Sequence, residues 1–296
     1  MSEMVSHAPA QGNVKFGILW MVAAMFMFVI VDSVGKYLSL SYPVLQVVWG
    51  RMFFHLLLML IFLAPRVKTM ITPNNGSVVY LRAILVLVMT IGSVAAAQLI
   101  PVATLHAIAL LSPMMVTAMS VPILGEKVGL RRWASILVAF IGALLIVKPG
   151  AGVLDLGALI AVATIVVYSA GHIVARYASK FDSPSTVLFH TALLGAVVTS
   201  LFTPIFWQAP DLEGWALLTL IGAVSGFGHY AIVKAFSFGE ASTIAPFSYS
   251  SLIWAMLIGL MFFGEFPDGL TLVGAAIIFG SAIYMWHREK VLGGAA

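Results

Sequence analysis

The chain has 296 residues, 61% hydrophobic and only 9% charged, with a mean hydropathy of +1.08 and a formal net charge of +4. That composition cannot surround a core with polar groups on all sides, so a water-soluble fold is excluded and a polytopic membrane protein is implied. The absence of cysteine excludes disulfides and thiolate chemistry.

The leading stretch Met1–Asn13 is polar, lacks Lys and Arg, and precedes an apolar run too long for a signal h-region, so no cleavable leader is expected. Charge, Pro and Gly then divide the chain into ten apolar stretches, near 14–38, 44–63, 77–98, 101–121, 132–147, 155–178, 184–207, 213–236, 241–262 and 269–287. A bilayer span takes about 20 apolar residues. Each stretch must be a helix, because lipid offers the backbone no hydrogen-bond partner, and the alternating strands of a barrel are absent. Turn signals at Pro43, Pro73-Asn74-Asn75-Gly76, Pro149-Gly150, Asp182-Ser183-Pro184 and Pro267-Asp268-Gly269 fit short links between antiparallel neighbours.

Basic residues orient the bundle. With a cytoplasmic N-terminus, Lys15, Arg66, Lys68, Lys127, Arg131, Arg132, Arg176, Lys180, Lys234, Arg288 and Lys290 all fall on the inner side, eleven of the fifteen Lys and Arg. Lys36 and Lys148 lie at outer ends, and Arg51 and Arg82 lie within spans. This is the positive-inside bias, and it places both termini in the cytoplasm. The net charge thus reports topology and calls for no nucleic-acid partner.

The first and sixth spans repeat one another. Phe16–Ser39 aligned with Leu156–Ser179 pairs Gly17 with Gly157, Ala23 with Ala163, Lys36 with Arg176, Tyr37 with Tyr177 and Ser39 with Ser179; Gly125-Glu126 recurs as Gly264-Glu265 and Thr104 as Thr243. Repeated hydrophobic halves are the mark of a secondary transporter rocking about a central site. Five spans per half is an odd number, so the second half must enter from the opposite side. The expected fold is an all-α polytopic membrane protein of ten transmembrane helices in two inverted five-helix repeats, residues 14–147 and 155–287, forming one integral membrane unit.

A charge at mid-span costs about 2.5–3.5 kcal/mol on insertion scales, so Asp32, Arg51 and Arg82 call for compensation. Asp32 precedes Lys36 by one helical turn, a favourable order for an ion pair, and Arg51 enters from the same outer side. Asp32, Lys36 and Arg51 form either an outer gate or coupling site, or a permanent salt bridge between spans 1 and 2. On the inner side Arg82, His172 and Arg176 are further gate or coupling candidates, with His190 and His229 placed to converge on them. Histidine titration near neutral pH allows proton coupling; for any single His, a hydrogen bond between helices is the plainer role. No pair has the spacing of a metal-binding helix, and neither metal nor cofactor is expected.

Pro113 in span 4 and Pro246 in span 9 each remove a donor and free a carbonyl, at Ala109 and Ser242. Kinked helices at membrane depth offer backbone polar groups to a substrate. Ser112 adjoins the first kink, and Ser248, Tyr249 and Ser251 follow the second. With Phe28, Tyr168 and Trp254 as apolar walls, these residues make the candidate substrate site. Glu126 and Glu265 are expected to cap the helices that follow them. Ala139 and Ala143, with Ala276 and Gly280, form small-xxx-small patterns for close packing, and Trp20, Trp133, Trp207, Trp215 and Trp286 are interfacial anchors.

Ten spans in two repeats, with a Gly-Glu pair closing the fourth and the ninth, resemble the EamA type of the drug/metabolite transporter superfamily over Lys15 to His287. Within it the chain looks most like an aromatic amino acid exporter of bacterial inner membranes. The resemblance implies a small-molecule substrate, alternating access, and no enzymatic activity; with no Walker motif, ATP is not the direct energy source. The alternatives are a carrier of another metabolite, such as a vitamin, nucleotide-like compound or drug, and a non-transporting membrane scaffold. The inversion is directly testable: a topology reporter fused after Lys148 is expected in the periplasm, and fusions after Lys68 and Arg288 in the cytoplasm. Any other pattern among the three removes the ten-span assignment.

Overall fold

The protein is described by a computed structural model covering residues 14–62, 70–125, 129–147, 156–239 and 241–293; these residues form helices and no strand. The helices are α1 Val14–Leu38, α2 Val44–Phe62, α3 Gly76–Leu99, α4 Val102–Ala109, α5 Ser112–Leu124, α6 Leu130–Val147, α7 Leu156–Ala178, α8 Pro184–Phe202, α9 Leu212–Ser237, α10 Ala241–Ile244, α11 Ser250–Ile258 and α12 Gly269–Gly293. Eight stretches are long and apolar enough to cross a membrane, among them Val102–Ile123 and Ala245–Phe263, which run through breaks; Trp133–Val147 and Gly269–Met285 are shorter apolar stretches. Arg66, Lys68, Glu126, Lys127, Lys148, Pro149 and Gly150 lie outside the described residues, as do the side chains of Arg132, Ser242, Trp286, Arg288 and Lys290.

Polar residues in the links cap the helices that follow them. Ser183 and Asp211 accept the first free N–H groups of α8 and α9, from Thr186 at 3.2 Å and Gly214 at 2.7 Å. Such caps satisfy donors that a helix start leaves open. At α12 the cap is Asp268, which accepts from Thr271 N at 2.9 Å. Glu265, expected in that role, is engaged elsewhere.

The prolines produce breaks where kinks were expected. α4 ends at Ala109, Leu110 and Leu111 donate to the carbonyls three residues back, and Pro113 falls in the first turn of α5. Pro246 lies within a 3₁₀ turn, Ala245–Tyr249, between α10 and α11. A proline at a helix start removes a donor that has no partner there anyway, so breaking is less costly than bending. Both broken spans end on a left-handed glycine, Gly125 (φ 68°) and Gly264 (φ 65°), which are the positive-φ glycines among the described residues. The repeated Gly of each Gly-Glu pair is therefore a backbone requirement.

Packing follows a two-fold pattern. α1 packs on α9 as α7 packs on α3; α2 packs on α9 as α8 packs on α3; α1 packs on α11 as α7 packs on α4 and α5; α2 meets α8, and α6 meets α12. The α6–α12 contact differs in detail from expectation. Ala139 and Ala143 are buried in it, but Ala276 and Gly280 are exposed. α12 instead presents Gly274, Ala275, Ile278 and Ser281, with Ser281 Oγ donating to Ser135 O at 2.8 Å. A Cβ added to Gly142 would lie 2.7 Å from Gly274 O and 2.9 Å from Ile278 Cγ1, whereas one on Gly280 meets nothing within 4 Å. Overpacking such a contact costs typically about 1–3 kcal/mol. Gly142→Val is therefore expected to lower the melting temperature in detergent, and Gly280→Val to leave it unchanged; equal effects would contradict this packing face.

Candidate functional site

The polar groups inside the bundle form a column in three levels. At the upper level, the end carrying Leu38 and Gly269, Lys36 is 6% exposed, and its Nζ lies 2.7 Å from both carboxylate oxygens of Glu265 and donates to Ile100 O at 3.0 Å. One ammonium thus ties the end of α1 to the α3–α4 link and the α11–α12 link. Around it, Gln98 Nε2 donates to Ser39 O at 2.7 Å, and Gln46 and the Gln208 backbone bond reciprocally at 2.7 and 3.0 Å. Trp49 meets Trp207 and Trp215 edge-on, and these two rings are tilted against each other.

One turn deeper, Asp32 is shared. Its Oδ1 lies 3.7 Å from Arg51 Nη1 on α2 and its Oδ2 lies 3.2 Å from His106 Nε2 on α4. The His106 contact is close but poorly aligned, since Nε2 has no partner with hydrogen-bond geometry. The Asp32–Lys36 pair suggested by helical spacing is therefore replaced by two longer-range pairs. Lys36 finds a carboxylate on a distant link, and Asp32 reaches across to two other helices. Below Arg51 by one helical turn, His55 faces His229 on α9 with ring centroids 5.4 Å apart, and Phe28 meets His229 edge-on at 5.1 Å. His229 Nδ1 donates to Ser225 O at 2.8 Å, since a carbonyl can only accept.

At the third level, a narrow cleft of about 20 Å³ lies between α3 and α7. Arg82, Tyr168 and His172 supply its polar lining, and Leu85, Met89 and Val167 its apolar walls. Tyr168 and His172 stand edge-on at 4.3 Å. Arg82 makes one weak bond, Nη1 to Thr191 Oγ1 at 3.4 Å, and its buried Nε has no partner. Among the described residues no carboxylate pairs with it, and no group of three or more His, Asp or Glu could hold a metal ion.

Of the residues singled out in the sequence, Asp32, Arg51, Arg82, Phe28, Tyr168, His172 and His229 lie along this column, with Lys36 at its top. The others stand apart. Tyr249 packs on Phe279 of α12, at 5.3 Å. Trp254 meets Phe26 at 5.0 Å, and its buried Nε1 has no partner. Ser112 contributes its carbonyl, 3.5 Å from Ser169 Oγ, while Ser248 and Ser251 do not line the cleft. Arg176 is exposed at the end of α7. His190 bonds Met70 O at 3.0 Å and packs between Tyr80 and Phe189, which ties α8 to the start of the α3 region and keeps it out of the cleft. His55 and His106 were missed. His55 is detectable as the residue one turn from Arg51 on the same face; no local signal marks His106.

Comparison with known proteins gives two matches to the model of the EamA-like transporter family, over residues 15–148 and 155–286. The chain is 31% identical to a riboflavin transporter of Vibrio cholerae, with 97% of each chain covered. It is 27% identical to an S-adenosylmethionine uptake transporter of Rickettsia bellii, with 93% of this chain and 95% of that one covered. A solved crystal structure superposes with a TM-score of 0.63 at 18% identity, covering 92% of this chain and 98% of the other, which speaks to fold alone.

The Lys36–Glu265 pair can be checked by itself. Removing one partner of a shielded pair strands the other's charge. Lys36→Met and Glu265→Gln are each expected to lower the melting temperature, and the exchange Lys36→Glu with Glu265→Lys to recover part of the loss. Independent, additive losses would show that the two side chains do not interact.

Proposed function

The chain belongs to the EamA-like transporter family, and from that premise we propose that this multi-pass membrane protein is a secondary transporter of the bacterial inner membrane. It moves a small metabolite by alternating access between two inverted halves, residues 14–147 and 155–287. The observation that carries the reading is the column itself. It is locked at one end by Lys36, Glu265 and Ile100 O, and opens at its other end into the cleft of Arg82, Tyr168 and His172. The two-fold packing supports the division into halves, and the charge bias supports assigning the locked end to the periplasm. Lys36, Asp32 and Arg51 then act as the outer gate, whose pairs must part for the site to face outward.

Our reading of the cargo departs from the first expectation. The relatives reported above are a riboflavin transporter and an S-adenosylmethionine uptake transporter, which give aromatic amino acids no support, while export keeps the support of a Pseudomonas aeruginosa pseudopaline exporter, 27% identical over 93% of this chain. We assign the cargo to the vitamin or nucleotide-like class, a flat heteroaromatic body held against Phe28, Tyr168 and the apolar cleft walls. The cleft volume of about 20 Å³ is far below the roughly 300–1,000 Å³ of occupied small-molecule sites. The cleft must therefore widen around its cargo, which suits a site between moving halves better than a rigid receptor pocket.

Purified protein in liposomes tests this. Counterflow is expected with labelled S-adenosylmethionine or riboflavin 5′-phosphate and not with phenylalanine, and Tyr168→Ala is expected to raise KM with little change in melting temperature. Phenylalanine counterflow would restore the amino acid reading, and absence of any flux would leave the scaffold.

A further inference from the structure

Within the transporter reading, on which this inference rests, the structure also bears on the charge of the cargo. We propose that Arg82 binds an anionic group, a carboxylate or phosphate, on the transported molecule. Charge pairing along the column is uneven. Lys36 is matched by Glu265, and Arg51 by Asp32, which His106 also approaches. Arg82 is matched by no carboxylate among the described residues. Among the described residues its guanidinium makes a single hydrogen bond, 3.4 Å to Thr191, and its buried Nε has no hydrogen-bond partner. Counting only Asp, Glu, Lys and Arg, the part of the column below Lys36 holds two guanidiniums and one carboxylate.

A guanidinium offers five donors in a planar fork suited to carboxylate and phosphate oxygens. A buried donor left unmade is unfavourable, and a cation within a span is ordinarily paired. Arg82 also lines the cleft beside the Tyr168–His172 pair, with Leu85, Met89 and Val167 close by. An occupant with an anionic end and an apolar body would answer both halves of that lining. The cargo supplies the missing counter-charge, so binding is strongest when the anion is present, and the loaded site is closer to neutral than the empty one.

The test uses three probes that share a benzene ring: benzamide, benzoate and phenyl phosphate, titrated into the purified full chain with ligand-dependent melting as readout. A charge-assisted bond is worth about ten-fold in affinity. Benzoate or phenyl phosphate is therefore expected to bind at least about ten-fold more tightly than benzamide, and whichever anion wins identifies carboxylate or phosphate. Arg82→Gln is expected to abolish the preference, and Arg82→Lys to retain part of it. The proposal is overturned if benzamide binds as well as both anions, if no probe binds at tens of millimolar, or if the preference survives in Arg82→Gln. Because the comparison in the unaltered protein needs no variant, misfolding of Arg82→Gln does not protect the proposal. Counterflow separates the two readings: flux without anion preference removes only the role of Arg82, whereas anion preference in a protein that moves nothing removes only the transporter.

Discussion

A charged group in the hydrocarbon of a bilayer has to be answered by a partner, from the protein or from what it binds, because the lipid offers none. That constraint orders the polar interior here. Lys36 takes a carboxylate and a carbonyl from two different links, Asp32 takes a guanidinium and an imidazole from two different helices, and each pair thereby ties together elements far apart in sequence. Such contacts link the upper parts of several helices. They also make it switchable, since an ion pair can part and be rehydrated in a way that an interdigitated core cannot.

The backbone obeys the same constraint. Both broken spans tighten into i→i+3 turns at the break, and both end on a glycine of positive φ whose N–H bonds back to the last turn. The breaks lie beside α1 and α7, which carry Asp32, Tyr168 and His172. Irregular backbone is thus concentrated next to the polar column, and the α6–α12 contact, with Gly142 against Gly274, forms a separate packed flank. The division suits a molecule in which one region changes shape and another holds it together.

Much of this was legible in the chain itself. Span positions followed from hydropathy and turn chemistry because membrane insertion acts on each stretch locally; most helices begin and end within a few residues of the expected places, but the fourth and ninth stretches are each broken into separate helices and α12 runs on to Gly293. Gly125 and Gly264 stood out as repeated positions, and their shared left-handed geometry gives the repetition a physical cause. Asp32, Arg51, Arg82, Tyr168 and His172 stood out because charge and aromatic hydroxyls within apolar runs are rare and costly. The α12 packing face was misjudged: small residues recur on more than one side of that helix, and spacing alone cannot say which side meets a neighbour.

What the sequence determined by itself was therefore everything set by one segment and its solvent: membrane class, helix positions, turns, orientation bias, the internal repeat and the set of residues that needed partners. What only the tertiary structure decided was which partners they found. Lys36 and Glu265 are separated by 229 positions, and no periodicity links them; the one-turn spacing of Asp32 and Lys36 pointed to a local pair that the bundle did not use. Partner choice belongs to the packed bundle, because an ion pair forms where helices crossing at fixed angles bring two side chains together, and adjacency in the chain carries no weight against that geometry.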